Sequence, residues 1–444
     1  MTAFARNISA RLCEWKASSN RKPLVLLGAR QVGKTYALKQ FAATEFDSLA
    51  YVDFSRDADA AALFEGSVSP ATLVSNLGIY LRMDIVPGKT LIVLDEVQLC
   101  ERALTSLKYF CDDAPQYHVV AAGSLLGVQI HREKYSFPVG KVDLMTLRPM
   151  DFEEYLGARG EERLAAAIRD AYDNPTAAFA LHDRALSLVR EYELVGGMPE
   201  VVGEYIAAGA RGNAAYNAAQ KKQVEICVAY AADMVKYADE QDAPRILAAW
   251  NSLPRQLAKE NHKFQYKAIR SGARATQYQT ALEWLGAAGI AEKCLRITDA
   301  QAPLATFAED ASFKLYGADS GLLASRYEAR PEDVLPADNK ASNFRGAIAE
   351  NYVFQQLRAS DSSIYYWGTA SRYEVEFVGR RKTGEVVPIE VKSGNNVRST
   401  SLREFMSRYG IERAVRLSSK NFGEDSGVVS VPLYAAWLLG EELQ

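Results

Sequence analysis

The chain has 444 residues, of which 48% are hydrophobic and 24% are charged, and its formal net charge is −3. These values are ordinary for globular proteins, and the length fits two or three domains. The nearly balanced charge excludes a chain-wide nucleic-acid signature, so local charge must carry any argument for DNA binding.

The first strong pattern is a complete phosphate-binding loop, G-x-x-x-x-G-K-[ST], at residues 28–35. An apolar run typical of a buried strand, residues 24–27, precedes it, and a helical stretch follows. The glycines let backbone N–H groups point at phosphate oxygens, the lysine adds positive charge, and the threonine hydroxyl can bind Mg²⁺. The predicted nucleotide-binding residues are Gly28, Ala29, Arg30, Gln31, Val32, Gly33, Lys34 and Thr35. The alternative is a glycine-rich turn that binds no nucleotide.

The second pattern is a run of four apolar residues, 91–94, followed by Asp95 and Glu96. A buried strand would carry Asp95 to its carboxyl end, where it can hold Mg²⁺ together with Thr35. Glu96 would then polarise the attacking water as the general base of ATP hydrolysis. Taken alone, a strand followed by two acids is usually a strand that enters a solvated turn, but this one follows a complete P-loop.

A third apolar run, residues 119–122, ends at Gly123 and Ser124. Ser124 either senses the γ-phosphate or caps the segment that follows it, and the residues alone leave both roles open. Runs at 49–54 and 142–147 complete a set of five strands. Because helical stretches separate most of these runs, we expect a parallel sheet. The predicted catalytic residues are Lys34, Glu96 and Ser124.

Four motifs resemble those of one widespread prokaryotic group of AAA-type P-loop ATPases. They lie at residues 28–35, 94–98, 122–126 and 147–155. Further motifs at 196–200, 314–322 and 389–394 resemble the C-terminal domain that accompanies this group, so the resemblance covers nearly the whole chain. It implies the sensor role for Ser124 and a homo-oligomeric ring, such as a hexamer, in which a neighbouring subunit completes each site.

The resemblance also exposes a departure in the basic residue that would reach a neighbouring nucleotide. The group usually carries Gly-Arg where this chain has Gly140 and Lys141. A lysine supplies a point charge without the bidentate fork of arginine. The trans-acting residue is therefore open among Lys141, Arg132 and Arg148.

The middle of the chain, residues 152–263, is rich in alanine and predicts a helical lid and linker. Apolar residues recur at helical spacing in residues 162–172, 185–194, 214–235 and 245–259.

Residues 263–298 predict a helix-turn-helix arrangement with a wing. The two helices and the wing strand are expected at 266–269, 275–288 and 291–298. The segment holds six Lys or Arg against two acids. The side chains that could face a DNA groove are Gln277, Tyr278 and Gln279. Either this segment contacts DNA, or it is a packing module that touches none.

The C-terminal part carries the order of a PD-(D/E)xK nuclease core: a helix acid, a hairpin acid and an E-x-K strand. The residues that would bind Mg²⁺ and activate water are Glu350, Glu376, Glu390 and Lys392. Since strand residues i and i+2 share a face, Glu390 and Lys392 should point together, and so should Glu374 and Glu376. The hairpin acid is usually Asp, so Glu376 leaves three readings open: an active nuclease, an inactive nuclease-like fold and a coincidental motif.

A second basic stretch accompanies this pattern. Residues 380–416 hold nine basic and four acidic residues, an excess that would suit a phosphate backbone.

Cysteines and the N-terminus bear on the compartment. The five scattered cysteines lack any Cys-x-x-Cys pair and, with four histidines, predict no zinc site but reduced thiols in the cytoplasm. The N-terminus lacks the apolar core of a signal peptide, and no apolar run approaches the length of a transmembrane helix. We therefore expect a cytoplasmic protein with no membrane partner.

Together these patterns predict an α/β chain of three parts. They are a P-loop NTPase domain with a parallel sheet at 1–157, a helical region with the winged-helix-like segment at 158–300, and a C-terminal α/β restriction-endonuclease-like domain at 301–444. The predicted function is an ATPase that uses ATP and Mg²⁺ and couples turnover to action on DNA or to DNA binding. The alternative is a nucleotide-switched binding or regulatory protein with an inactive nuclease-like domain and a protein partner. A metabolic kinase is a weaker interpretation, because no small acceptor-substrate site is evident.

Overall fold

The computed structural model describes residues 4–124, 126–130, 137–175, 178–259, 262–336, 343–369, 373–392 and 400–444. The chain forms two compact units. Most of the N-terminal unit is Ala5–Arg148, to which Ala287–Ile290 is added. The C-terminal unit holds Pro149–Gly286 and Ala291–Gln444.

The N-terminal unit is built on a five-stranded sheet. Its strands are β1 (Leu24–Leu27), β2 (Ser48–Asp53), β3 (Thr90–Asp95), β4 (His118–Ala122) and β5 (Asp143–Thr146). Its helices are α1 (Ile8–Ala17), α2 (Lys34–Glu45), α3 (Pro70–Leu81), α4 (Glu101–Asp113) and α5 (Leu126–Ile130). The strand order is β2–β3–β4–β1–β5, and each neighbouring pair is parallel. The predicted five-stranded parallel sheet is confirmed.

The core of this unit explains why its central strands are continuous apolar runs in the sequence. Strands β3 and β4 are buried along their whole length, as expected for the centre of a parallel sheet that helices cover. Phe64 and Phe110 pack into the same core cluster as Ile92 of β3. This frame fixes the carboxyl ends of β1, β3 and β4, where the three sequence motifs lie.

The C-terminal unit begins with a run of helices. Its helices are α6 (Phe152–Ala158), α7 (Glu162–Asp173), α8 (His182–Val195), α9 (Pro199–Ala207), α10 (Gly212–Tyr237), α11 (Ala243–Leu257), α12 (Tyr266–Ile269), α13 (Ala275–Ala287), α14 (Ser320–Arg326), α15 (Pro331–Val334), α16 (Asn343–Arg358), α17 (Thr400–Tyr409) and α18 (Ala436–Glu442). The four helices predicted between residues 162 and 259 are α7, α8, α10 and α11, so the helical reading of this region is confirmed.

The second half of this unit is a mixed sheet of eight strands. The strands are β6 (Ala291–Ile297), β7 (Ala308–Gly317), β8 (Tyr365–Gly368), β9 (Glu374–Arg380), β10 (Val386–Lys392), β11 (Ala414–Ser418), β12 (Gly423–Asp425) and β13 (Val428–Pro432). They lie in the order β12–β13–β11–β10–β9–β8–β6–β7. The predicted hairpin is confirmed, because β9 and β10 pair antiparallel.

The winged-helix interpretation changes in two respects. The strand predicted as a wing, β6, pairs antiparallel with β7 and parallel with β8, so it lies inside the large sheet, which also spans the predicted boundary near residue 300. Tyr278, predicted to face a groove, is only 3% exposed and packs beside Tyr266. An aromatic side chain on the inner face of a helix is stabilised by burying its large apolar surface.

Among the described residues, none of the helices is both long and apolar enough to cross a membrane. The five cysteines are free thiols.

Candidate functional site

The P-loop follows β1 and begins α2, and its backbone needs glycine at two positions. Gly28 has φ +143° and Gly33 has φ +97°, both in the region that favours glycine. A Cβ added to Gly28 would collide with the carbonyl oxygen of Leu147, so the loop and the end of β5 approach closely. The helix N-terminus that follows offers unpaired N–H groups to an anion.

Lys34 lies within the curled loop. Its side chain is 7% exposed, and its ammonium donates hydrogen bonds to the carbonyl oxygens of Gly28 at 2.8 Å and Ala29 at 2.9 Å. Burial lowers the pKa of Lys34 to about 8, although the carboxylates of Glu96 and Asp95 raise it. A buried ammonium held by carbonyl groups can exchange those weak partners for phosphate oxygens, so the loop fits a nucleotide.

Thr35 and Asp95 form the second part of the site. The Thr35 hydroxyl donates to Asp95 Oδ2 at 2.6 Å, so the two predicted Mg²⁺ ligands are brought together. The Tyr51 hydroxyl donates to the same oxygen at 2.8 Å, and the Glu96 N–H donates to Asp95 Oδ1 at 3.0 Å. Burial and then Asp95 raise the pKa of Tyr51 well above its usual value, so the hydroxyl remains a donor.

Glu96 and Ser124 face each other across the ends of β3 and β4. Ser124 Oγ lies 3.5 Å from Glu96 Oε2, and the amide of Gln98 donates a hydrogen bond to that same oxygen. Glu96 itself adopts a left-handed backbone, with φ +50°. Gln98 and Ser124 therefore both contact the same oxygen of this carboxylate.

Three supporting residues were missed by the sequence reasoning. Tyr51 and Gln98 orient the two acids as just described. Arg6 is buried, and its guanidinium donates to the carbonyl oxygens of Val32 at 3.0 Å and Arg148 at 2.7 Å. Of these three residues, only Gln98 could have been predicted from the sequence, because it lies two residues after Glu96.

Two of the three candidates for the trans-acting residue, Lys141 and Arg148, lie within the described residues. The Lys141 ammonium forms an ion pair with Asp112 of the same chain at 2.6 Å. The backbone carbonyl of Arg148 is held by Arg6. Arg132 lies outside the described residues, and the role of all three stays a prediction.

The acid on α16 of the C-terminal unit is enclosed by hydrogen-bond donors. Lys314 lies 2.9 Å from Glu350 Oε1 and 2.7 Å from Glu374 Oε1. His262 contacts Glu350 Oε2 at 2.6 Å, and the Tyr316 hydroxyl donates to Glu350 Oε1. Burial raises the pKa of Glu350, but Lys314 and His262 outweigh it and hold that pKa well below its usual range.

The remaining acids of the predicted nuclease-like site face other cations. Lys392 lies 3.3 Å from both Glu376 and Glu390, and Arg416 donates to Glu390 at 2.9 Å. Glu390 and Lys392 therefore do point together, as the strand pattern predicts. Burial raises the pKa of Glu376. Within the described ranges, no group of three or more His, Cys, Asp or Glu is placed to hold a metal ion. Metal binding by Glu350, Glu376 and Glu390 stays a prediction.

The basic residues of the two predicted DNA-contacting stretches differ in exposure. Lys267, Arg270 and Arg274 are exposed around the turn between α12 and α13. In contrast, Arg296 pairs with Glu309, and in the later stretch Arg381 pairs with Glu442. The later stretch also exposes Lys382, Arg403 and Arg408, so both stretches present positive charge to solvent.

Three family models match the chain. Residues 20–156 match an AAA domain. Residues 186–333 and 345–435 match two domains of unknown function, DUF8612 and DUF4143. No curated protein matches the chain significantly.

Solved structures with some likeness include three archaeal proteins. The Walker-type ATPase PABY2304 of Pyrococcus abyssi is 16% identical, with a TM-score of 0.43, over 73% of this chain and 96% of that chain. The Aeropyrum pernix ORC1 protein in complex with DNA is 14% identical, with a TM-score of 0.31, over 74% of this chain and 93% of that chain. Cdc6p of Pyrobaculum aerophilum is 11% identical, with a TM-score of 0.29, over 74% and 93%. At these TM-scores the likenesses add nothing to the sheet topology described above.

The family match and the site lie on the same segment of the chain. Residues 20–156 are similar to AAA domains in sequence, and they carry the P-loop motif on a five-stranded parallel sheet, the fold of P-loop ATPases.

Proposed function

We propose that this protein binds ATP with Mg²⁺ and hydrolyses it. The observation that carries the proposal is the convergence of five side chains at the carboxyl ends of β1, β3 and β4. These side chains are Lys34, Thr35, Asp95, Glu96 and Ser124. A lone P-loop would support phosphate binding, whereas a P-loop with a paired acid and a second carboxylate supports hydrolysis.

Each residue has a role that follows from its contacts. Lys34 leaves the loop carbonyls and binds phosphate oxygens, and the N–H groups of the P-loop orient the nucleotide. Thr35 and Asp95 would hold Mg²⁺, which would neutralise phosphate charge when bound. Glu96 takes a proton from water, while Gln98 fixes one of its oxygens. Ser124 adds a hydroxyl next to Glu96, in the sensor role.

A direct test is steady-state ATP hydrolysis by the purified full chain. Turnover is expected with Mg²⁺ and is expected to disappear with EDTA. A chain that binds ATP but shows no turnover would support only a nucleotide switch.

The lowered pKa of Lys34 makes ATP affinity depend on pH. Without nucleotide this pKa is about 8, and phosphate oxygens favour the charged form and raise it. Below about pH 8 the ammonium is already charged, whereas above it ATP binding must take up a proton. The apparent Kd is therefore expected to be about tenfold weaker near pH 9 than near pH 7. Calorimetry in buffers of different ionisation enthalpy should report uptake of about half a proton near pH 8.

The control for this prediction is Lys34→Arg, because a guanidinium stays charged throughout this range. That variant should show no rise in Kd between the two pH values. A wild-type Kd that does not change with pH would contradict the assignment of Lys34.

We further propose that the turn between α12 and α13 binds a DNA phosphate backbone. Lys267, Arg270 and Arg274 are exposed there, and such clusters gain affinity by releasing counterions from DNA. ATP turnover would then be coupled to DNA by a cytoplasmic homo-oligomeric ring, such as a hexamer. In that ring Lys141, Arg132 or Arg148 would reach a neighbouring subunit's nucleotide.

Replacing Lys267, Arg270 and Arg274 together with alanine is expected to weaken binding to double-stranded DNA of any sequence. The slope of log Kd against log salt should become shallower by about 2 to 3, since each phosphate contact contributes about 0.9. Fluorescence anisotropy of a labelled duplex at several salt concentrations measures this slope, and ATPase activity with and without the duplex measures coupling.

The matched control removes three exposed basic residues from other surfaces. They are Arg56, Lys89 and Arg330. This control should keep the wild-type slope. If the wild type shows neither DNA binding nor stimulated turnover, a protein partner replaces DNA in the proposal.

The alternative function is a nucleotide-switched binding protein with an inactive nuclease-like domain. The pairing of Glu376 and Glu390 with Lys392, and of Glu350 with Lys314, favours it, because each acid already has a cation. In this alternative, ATP binding controls a protein partner, and turnover is slow and indifferent to DNA.

A further inference from the structure

We propose that the Lys314 ammonium is a built-in cation that fills the centre of the C-terminal carboxylate cluster, so that the cluster takes no divalent metal. This inference concerns the C-terminal unit alone and does not depend on ATP hydrolysis. It disagrees with the metal role that the nuclease-like sequence order implies for Glu350.

Lys314 lies between two acids of the cluster, Glu350 and Glu374. Its side chain extends from β7 with no exposed surface, and its nitrogen lies 2.9 Å from Glu350 and 2.7 Å from Glu374. A divalent ion bridging two carboxylates must lie about 2.0–2.6 Å from an oxygen of each. The ammonium occupies the space between these oxygens, so metal and lysine cannot share it.

Hydrogen bonds around Glu350 lock this arrangement. One carboxylate oxygen accepts from Lys314 and the Tyr316 hydroxyl, and the other contacts His262 at 2.6 Å. Both oxygens of Glu350 are thus engaged by this chain's own side chains. A metal would have to displace an ammonium whose side chain has no exposed surface.

Charge balance supports the same conclusion. Burying an ion is costly unless an opposite charge lies beside it, and removing one partner leaves the other uncompensated. Lys314 balances Glu350 and Glu374, while Lys392 and Arg416 balance Glu376 and Glu390. Removing Lys314 would leave Glu350 and Glu374 facing each other without a cation between them, which is what a divalent ion compensates.

The test measures Mn²⁺ binding to the full chain. The electron paramagnetic resonance signal of free Mn²⁺ reports how much of the ion remains unbound. Every protein in the series carries Asp95→Ala, so that the P-loop contributes no metal site. The Asp95→Ala protein with Lys314 intact should bind no Mn²⁺ at the carboxylate cluster. Adding Glu350→Gln to it should therefore leave its Mn²⁺ binding unchanged. Lys314→Ala should gain about one Mn²⁺ per chain, the number one small carboxylate cluster holds. Adding Glu350→Gln to Lys314→Ala should remove that gain.

Either of two results overturns the proposal. In the first, the protein with Lys314 intact binds Mn²⁺, and Glu350→Gln abolishes that binding. In the second, a folded Lys314→Ala protein gains no Mn²⁺. Lys314→Met, which keeps the apolar stem, provides a second folded variant, and circular dichroism checks both. If neither variant folds, the protein with Lys314 intact still decides the question through its response to Glu350→Gln.

DNA cleavage gives an independent readout. Plasmid incubated with the wild-type protein and Mg²⁺ or Mn²⁺ is expected to stay intact, with or without ATP. Cleavage that Lys392→Ala abolishes would show a working metal site and overturn the proposal.

Discussion

Replacing Glu96 with glutamine is expected to lower ATP turnover by about 10²–10⁴-fold while ATP remains bound. The change removes the carboxylate that would accept a proton from water. An amide oxygen can still accept the hydrogen bonds of Gln98 and Ser124, so the local structure is retained. Single-turnover hydrolysis and binding of a fluorescent ATP analogue, measured side by side, separate these two effects.

Glu101→Gln is the matched control, since Glu101 is an exposed acid in the first turn of α4. It should hydrolyse ATP at the wild-type rate. Loss of ATP binding in Glu96→Gln would contradict the role of base and point instead to a role in holding the nucleotide or its metal. Unchanged turnover would mean that another group takes the proton.

The nucleotide site was largely predictable because its chemistry is local in sequence. The P-loop glycines, Lys34 and Thr35 form one continuous motif, and Asp95 and Glu96 end a strand whose apolar run is unambiguous. Parallel strands place their carboxyl ends at one edge, so the convergence of the motifs follows from the sheet topology.

The supporting residues of that site could not be predicted for the opposite reason. Arg6 lies in the N-terminal segment and reaches Val32 and Arg148 only through the tertiary fold. Tyr51 lies in a strand where an aromatic residue is ordinary, and only the pairing of β2 with β3 brings it to Asp95. Neither residue type marks a site by itself.

In the C-terminal unit, side chains that form ion pairs can be far apart in sequence, so local sequence patterns do not predict the pairs. Lys314 stands in the run Phe313-Lys314-Leu315, and its partner Glu350 is 36 residues away. The order of acids pointed to a metal, and only the packing of β7 against α16 puts an ammonium among them. The prediction of β6 as a wing was wrong for the same reason. The sequence of β6 does not indicate that β8 pairs with it in the folded sheet.

Replacing Lys34 with alanine is expected to weaken ATP binding by about 100-fold or more, with loss of turnover. Two charge-assisted hydrogen bonds to phosphate contribute about 3 kcal/mol or more, and each 1.4 kcal/mol is about tenfold in Kd. Calorimetry with ATP and Mg²⁺ measures the loss. Lys89→Ala is the matched control, because Lys89 is an exposed lysine of the same unit, and it should bind ATP normally.

The same substitution separates a binding role from a structural one. Keeping Lys34 charged within the loop costs about 3 kcal/mol at neutral pH, because its pKa falls from 10.5 to about 8. In a folded chain with a lowered lysine pKa, this cost is fully present below about pH 8 and fades as pH rises towards the unfolded value. Removing the ammonium therefore offsets the loss of its bonds to Gly28 and Ala29, and the melting temperature near pH 7 should not fall. A variant that loses ATP binding and also melts well below the wild type would make Lys34 a structural residue, whereas wild-type affinity would remove the basis for ATP at this loop.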